Sequence, residues 1–180
     1  MIRSFTEAAR RNGAHILQTQ GYRDTVKAIA KIAAENNVTS IALARIPEPL
    51  LRIFRNELAE IRMLVNLDEH QLGEASKIAE NVEMGVTMVD AGLAEVGSVI
   101  IMNSYSARLA STLPRRLAAI LPVRNILATY EELAEYLSRR YTEAGSAILI
   151  AGPSGTSDIE MTHIRGVHGP ADAYFILMEE

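Results

Sequence analysis

Apolar positions recur along the chain with two periods. Val26, Ile29, Ala30 and Ala33 fall at i, i+3, i+4 and i+7, one face of a helix. Asp24 stands where a cap would open it, and Asn36-Asn37 where it would end. Leu50, Phe54, Leu58 and Ile61 repeat helical spacing behind Pro47-Glu48-Pro49. Proline suits a helix start because the N–H it lacks had no partner there. Leu72, Ala75, Ile78, Ala79 and Val82 predict a further such face over residues 71–84, with Gly85 beyond it. Ser4 to Glu7 and Thr129 to Glu132 both have capping-box spacing, in which a hydroxyl and a carboxylate satisfy orphan N–H groups. The first predicts a helix running to about residue 20 and stopped by Gly21, with Gly13 weakening its middle by about 1 kcal/mol. The second predicts a helix to about residue 141, with Arg139 and Arg140 in its last turn, where cations suit the helix dipole.

Short β-prone runs lie between these helices. Strands are predicted at residues 38–46, 62–67, 86–89, 93–95, 99–103, 117–122, 146–151 and 173–178, with a short helix near 106–113. Gly97-Ser98 reads as a turn between two of them. The run Ala147-Ile148-Leu149-Ile150-Ala151 has no polar position, which implies burial on both faces, as in a parallel sheet covered by helices. Helix and strand alternate through most of the chain. The expected fold class is therefore α/β, one mainly parallel sheet flanked by helices, in a single domain over residues 1–180. No internal repeat or low-complexity tract interrupts it.

Composition narrows the chemistry. A chain of 180 residues, 48% apolar, is long enough to bury about 70% of its unfolded surface, so it needs no covalent staple. It has no cysteine, which removes disulfides, thiolate metal sites and Cys nucleophiles from consideration. Eighteen Lys and Arg against 22 Asp and Glu leave a formal charge of −4, unlike the basic excess of nucleic-acid binders. Arg3, Glu7, Arg10 and Arg11 break up the first twenty residues, so no export signal is expected there. No apolar run approaches the roughly 20 residues of a membrane span. The expectation is a cytoplasmic protein with no nucleic-acid or membrane partner.

Two stretches carry candidate chemistry. Residues 152–160 leave the carboxyl end of a predicted strand, where open α/β sheets bind ligands. Gly152 and Gly155 let backbone N–H groups approach an anion; Ser154 and Thr156 add hydroxyls; Asp158 and Glu160 add acceptors. Phosphate or carboxylate binding and a plain capped turn both fit this pattern. Neither a P-loop nor a Rossmann fingerprint is present. Asp158, Glu160, His163 and His168 match no standard ligand spacing, so no metal and no cofactor are expected. His168, between Gly166 and Gly169-Pro170, is a second candidate ligand contact. The other stretch is Glu95-Val96-Gly97-Ser98. A carboxylate at a strand end before a glycine turn fits a nucleophile or base, and equally a solvated turn residue. Asp90 lies close by and would cap a turn or line the same cleft.

The motif Gly152-Pro153-Ser154-Gly155-Thr156-Ser157-Asp158-Ile159-Glu160, followed by Gly166-Val167-His168-Gly169-Pro170 and a final apolar strand, resembles the signature of LUD-domain proteins of the lactate utilization protein C type. Residues 85–101 and 113–122 resemble that family's other shared blocks, while residues 1–37 match only in helical character. Gly155 departs from the basic residue often found there, and Val96-Gly97-Ser98 from a common Thr-Gly-Thr. The resemblance implies a fold similar to ribose-5-phosphate isomerase, glucosamine-6-phosphate deaminase and the CoA-transferases. It implies a part in oxidation of L-lactate to pyruvate alongside iron–sulfur partner proteins. With no cysteine here, any cluster would belong to the partner. It also implies an anionic small-molecule ligand, and leaves room for a homo-oligomer. Glu95-Val96-Gly97 is similar to the Glu-x-Gly of class I CoA-transferases, which would make Glu95 a covalent nucleophile with Gly97 and Ser98 aiding an oxyanion. An accessory component and an enzyme thus both remain open, and both rest on the two stretches meeting at one cleft.

Overall fold

A computed structural model describes residues 1–140, 145–157, 163–166 and 168–179. The chain opens with α1 (Ile2–Arg11), β1 (His15–Gln20), α2 (Gly21–Glu35), β2 (Ser40–Ala44), α3 (Glu48–Glu57), β3 (Met63–Asn66), α4 (Leu72–Asn81) and β4 (Met84–Met88). It continues through β5 (Ala91–Leu93), β6 (Ser98–Met102), α5 (Tyr105–Thr112), β7 (Arg116–Pro122), β8 (Ile126–Leu127), α6 (Tyr130–Arg140) and β9 (Ala147–Ile150). A small hairpin, β10 (Gly155–Ser157) and β11 (His163–Arg165), precedes β12 (Asp172–Glu179).

Six strands form one sheet in the order β1-β12-β7-β4-β2-β3, every neighbouring pair parallel. The fold is α/β, as the alternation of elements implies. Side chains alternate across each strand, so β7 sends Leu117, Ala119 and Leu121 into one core and Ala118 and Ile120 into the other. The second of these cores is sealed by α2 and α3 through Val26, Ile29, Leu50 and Phe54. The first is sealed by α1, α4 and α5, whose contacts are largely small: Ala9, Ala75, Ala79, Ala107 and Ala110. Small residues let α5 ride close to the sheet. A Cβ at Gly85 in β4 would lie 1.7 Å from the Ala110 carbonyl oxygen.

A second sheet, β8-β5-β6-β9, departs from the single layer that the apolar runs predict. Its β5–β6 and β6–β9 pairs are antiparallel and β5–β8 is parallel. Val99 and Ile101 face the main core, while Ile100 and Met102 face Leu133 of α6. The run at 147–150 is therefore an edge strand of this smaller sheet, not a central parallel strand, and Leu149 is exposed.

The first sixty residues hold further corrections. The helix expected to reach residue 20 ends at Arg11, and Gly13, at φ 87°, makes the turn into β1. Glu7 pairs with Arg3 at 2.8 Å instead of closing a capping box with Ser4. Residues 15–20 form the edge strand of the main sheet, in register with β12. Asp24 does not open α2: the helix begins at Gly21, the residue expected to end the first helix, and Asp24 lies inside its first turn, where its Oδ2 accepts the N–H of Gln20. At α6, Thr129 Oγ1 accepts the Glu132 N–H, while Glu132 reaches back to Ala128 N–H. Among the described residues no helix is long and apolar enough to cross a membrane.

Candidate ligand-binding site

Three adjacent strands of the main sheet, β2, β4 and β7, release their chains at one edge. Arg45 follows β2, Val89 and Asp90 follow β4, and Arg124 and Asn125 follow β7. Because the strands are parallel, these residues gather at the carboxyl ends of the strands, where open α/β sheets hold ligands. Helix α6 adds Tyr136 and Arg140 from the side. Together with Met88 and Leu127 they line a cavity of about 430 Å³, within the size range of small-molecule sites. Among the described residues, three guanidiniums and a single carboxylate stand in that lining.

Arg45 is the most constrained of them. Its backbone is in the left-handed region at φ 54°, a conformation that costs a non-glycine residue about 1–3 kcal/mol and persists only where neighbours impose it. Asp68 Oδ2 accepts its N–H at 2.7 Å, and Asp90 takes both terminal nitrogens of its guanidinium. The Arg45 Nη2 to Asp90 Oδ1 distance is 2.8 Å. Asp90 Oδ2 also accepts the Met102 N–H at 2.7 Å. This is the fork-to-fork geometry that makes Arg–carboxylate pairs strong and directional. Asp90's hydrogen bonds hold the Arg45 guanidinium above its ordinary pKa against the opposing effect of burial. The carbonyl of Asp90 accepts from Asn125 Nδ2 at 3.0 Å and from the Tyr136 hydroxyl at 3.3 Å. Burial pushes the Tyr136 hydroxyl pKa up, so it stays a neutral donor at physiological pH. The Arg140 guanidinium lies over the Tyr136 ring, 4.6 Å from its centroid, a cation–π contact that fixes its approach.

Of the residues singled out in the sequence, those other than Asp90 that the structure describes sit elsewhere. Glu95 is exposed, and its Oε2 accepts the Tyr130 N–H at 3.0 Å, placing it at the N-terminal end of α6. Gly97, at φ 69°, packs so tightly on α1 that a Cβ would lie 2.1 Å from the Ala9 nitrogen. Ser98 is buried, and its hydroxyl has no hydrogen-bond partner among the described residues. Gly152 abuts the Asn12 carbonyl, where a Cβ would come within 2.5 Å of the oxygen. Asn12 Nδ2 in turn donates to the Val96 carbonyl at 2.7 Å. The two stretches thus both touch the C-terminal end of α1. Ser154 is tied to the later glycine-rich segment: its N–H donates to the Pro170 carbonyl and its carbonyl accepts the Gly166 N–H. Gly155 opens β10 with open space where a Cβ would stand, and Thr156 follows it in the hairpin. His168 is exposed. Asp158 and Glu160 lie outside the described residues. None of Glu95, Gly97, Ser98, Gly152, Ser154 and Gly155 lines the arginine cavity. Of the sequence candidates only Asp90 does. Arg45, Arg124, Asn125 and Tyr136 carry no local motif, and Arg140 reads in the sequence only as a cation ending a helix; strand order brings them together.

Comparisons with known proteins follow the same outline. The LUD domain profile matches residues 2–178. Lactate utilization protein C of Macrococcus caseolyticus is 32% identical over 118 residues, 63% of this chain and 51% of that protein. The protein of the same name in Shouchella clausii is 38% identical over 107 residues, 57% of this chain and 46% of that protein. The chain spans about half the length of these curated relatives. A solved DUF162 family protein from Deinococcus radiodurans shares the fold, with a TM-score of 0.69 at 20% identity, covering 98% of this chain and 95% of that one.

Proposed function

Since the chain belongs to the LUD-domain family, we propose that it serves lactate utilization as an accessory, anion-binding component beside iron–sulfur proteins. Relatives named for lactate utilization support the process. The 180 residues contain no cysteine, so in this reading partner proteins hold the clusters and carry the electrons. The cytoplasm, where such partners keep their thiols reduced, is the matching location.

The observation that carries the binding role is the state of Asp90. Among the described residues it is the one carboxylate lining the cavity, and both its oxygens are engaged by Arg45 and Met102. Three of the roughly four lone-pair sites of its carboxylate are filled, and the pairing orients a guanidinium. The other polar side chains described in the lining are guanidiniums, an amide and a phenol, donor groups that suit an anion.

The test is affinity capture of the tagged chain from cells growing on L-lactate, with growth on lactate compared in cells with and without its gene. Recovery of iron–sulfur proteins and a lactate-specific growth defect are expected. Normal growth on lactate without the gene would contradict the reading.

A further inference from the structure

We propose that the open edge of β1 and the groove beside it take a second copy of this chain, the two β1 strands pairing antiparallel about a two-fold axis and joining two six-stranded sheets into one.

An edge strand leaves backbone N–H and C=O groups without ladder partners, and natural sheets protect such edges with short strands, charges, proline or bulges. β1 has none of these. Among the described residues it pairs only with β12, in unbroken register from His15 to Gln20, and it holds no Lys, Arg, Asp, Glu or Pro. His15, Gln18 and Gln20 are exposed, so the strand is open to solvent. The opposite edge differs: β3 is four residues long, with Arg55 and Glu69 beside it. Between α1 and β1 lies a groove of about 590 Å³, lined by Ile2, Arg3, Glu7 and Arg10 of the helix and Ile16 and Gln18 of the strand.

The charges on α1 make a second copy the matching occupant. The turn at residues 12–14 reverses the chain, so α1 runs back along β1. At about 3.3 Å per residue, the middle of β1 lies about 8 Å from His15. At about 1.5 Å per residue, the same distance back along α1 from Arg11 reaches residues 5 and 6. Arg3 and Glu7 stand on either side of that level, exposed and paired with each other at 2.8 Å. A two-fold axis normal to the sheet at that level lays this pair antiparallel beside its copy. Arg3 then comes opposite Glu7 of the second copy, and Glu7 opposite Arg3. Each pair within one chain stays intact, and the four charges alternate in sign.

The spacing of the layers agrees. Phe5 of α1 lies against Phe175 of β12, and Ile2 and Ile16 pack on the same core, so α1 sits over the β1–β12 pair and not beyond the edge. With strands about 4.8 Å apart, the two α1 axes would stand about 10 Å from each other across the seam, the usual separation of packed helices.

The experiment follows the full chain by sedimentation velocity from about 1 to 100 µM, a range that brackets micromolar self-association. Hydrogen exchange at residues 15–20 is read at both ends of that range. The native chain should dimerise, and exchange in β1 should slow as it does. Arg3→Glu and Glu7→Arg should each weaken dimerisation at least tenfold, because a two-fold axis uses every substitution twice; thermal unfolding confirms that both variants are folded. Mixed in equal amounts, the two variants should form a heterodimer, read by native mass spectrometry, because acidic positions on one chain then face basic positions on the other. A native chain that stays monomeric across the range overturns the proposal. A dimer whose β1 amides exchange as fast as the monomer's overturns it too, by placing the contact on another face. Variants that do not recover dimerisation on mixing overturn it as well.

Discussion

Asp90 grips the guanidinium of Arg45 through both carboxylate oxygens, although 45 positions separate them in the chain. The pair joins the loop after β2 to the loop after β4, and the Met102 N–H ties in the end of β6. The Asp90 side chain is almost fully buried, so removing its charge takes from the Arg45 guanidinium the carboxylate that pairs with it. Asp90→Asn should therefore lower stability by about 2–3 kcal/mol, somewhat less than the loss of a fully buried pair because Arg45 keeps some water. Urea unfolding followed by circular dichroism reads this as an earlier midpoint.

Two glycines of the family-like blocks should respond in opposite ways to the same substitution. Gly97→Ala forces a Cβ into the backbone of α1 and sits at φ 69°, so it should cost about 3 kcal/mol or more. Gly155→Ala meets open space and should change stability by less than about 0.5 kcal/mol. Thermal unfolding of the two variants side by side measures the contrast, and equal effects would contradict the packing described for α1.

The carboxylate of Glu95 caps the first turn of α6 by accepting the Tyr130 N–H. Glu95→Ala should cost about 1 kcal/mol, the usual value of a helix cap, and should speed amide exchange at Tyr130. The same side chain is the candidate nucleophile of a CoA-transferase-like reaction. As a cap, it should leave the mass of the native chain unchanged after incubation with acyl-CoA donors. A CoA adduct that disappears in Glu95→Ala would instead assign it the covalent role.

Glu83 links the amino ends of β2 and β4. Its Oε2 accepts the Thr39 N–H at 2.6 Å, the Thr39 hydroxyl at 3.1 Å and the Ser40 N–H at 3.2 Å. These bonds, the Thr39 backbone first, hold the folded carboxyl below its ordinary pKa. The stabilisation is therefore fully present above the unfolded carboxylate value, about 4.3, and is lost as pH falls through the lower folded value. Glu83→Gln should cost about 1 kcal/mol at pH 7 and less at pH 3. Urea midpoints of the two chains at both pH values should converge on acidification.

Much of the architecture was legible from local pattern. The helical faces of α2, α3 and α4 and the apolar strands β2, β4, β7 and β12 follow from spacing that each segment carries in itself. What escaped depends on distant partners. His15–Gln20 has only two apolar residues, Ile16 and Leu17, and becomes a strand because β12, more than 150 positions later, offers it an edge. The 147–150 run is as apolar as a central strand but, among the described residues, pairs only with β6 at the edge of the smaller sheet. The candidate site was less legible still. Asp90 reads as a possible cleft residue, whereas Arg45 and Arg124 belong to no motif and the Arg139-Arg140 pair reads only as the basic end of a helix. Their convergence is a property of the strand order β7-β4-β2, which no single segment encodes.

The central claim is that anions bind in the cavity at the carboxyl edge of the main sheet. A crystal of the chain soaked in tungstate, a heavy dianion of phosphate-like shape, tests it through anomalous scattering. The account predicts the strongest tungsten peak inside that cavity, beside Tyr136 and Arg140. A strongest peak at the Gly152–Ser154 turn, with none in that cavity, would contradict it.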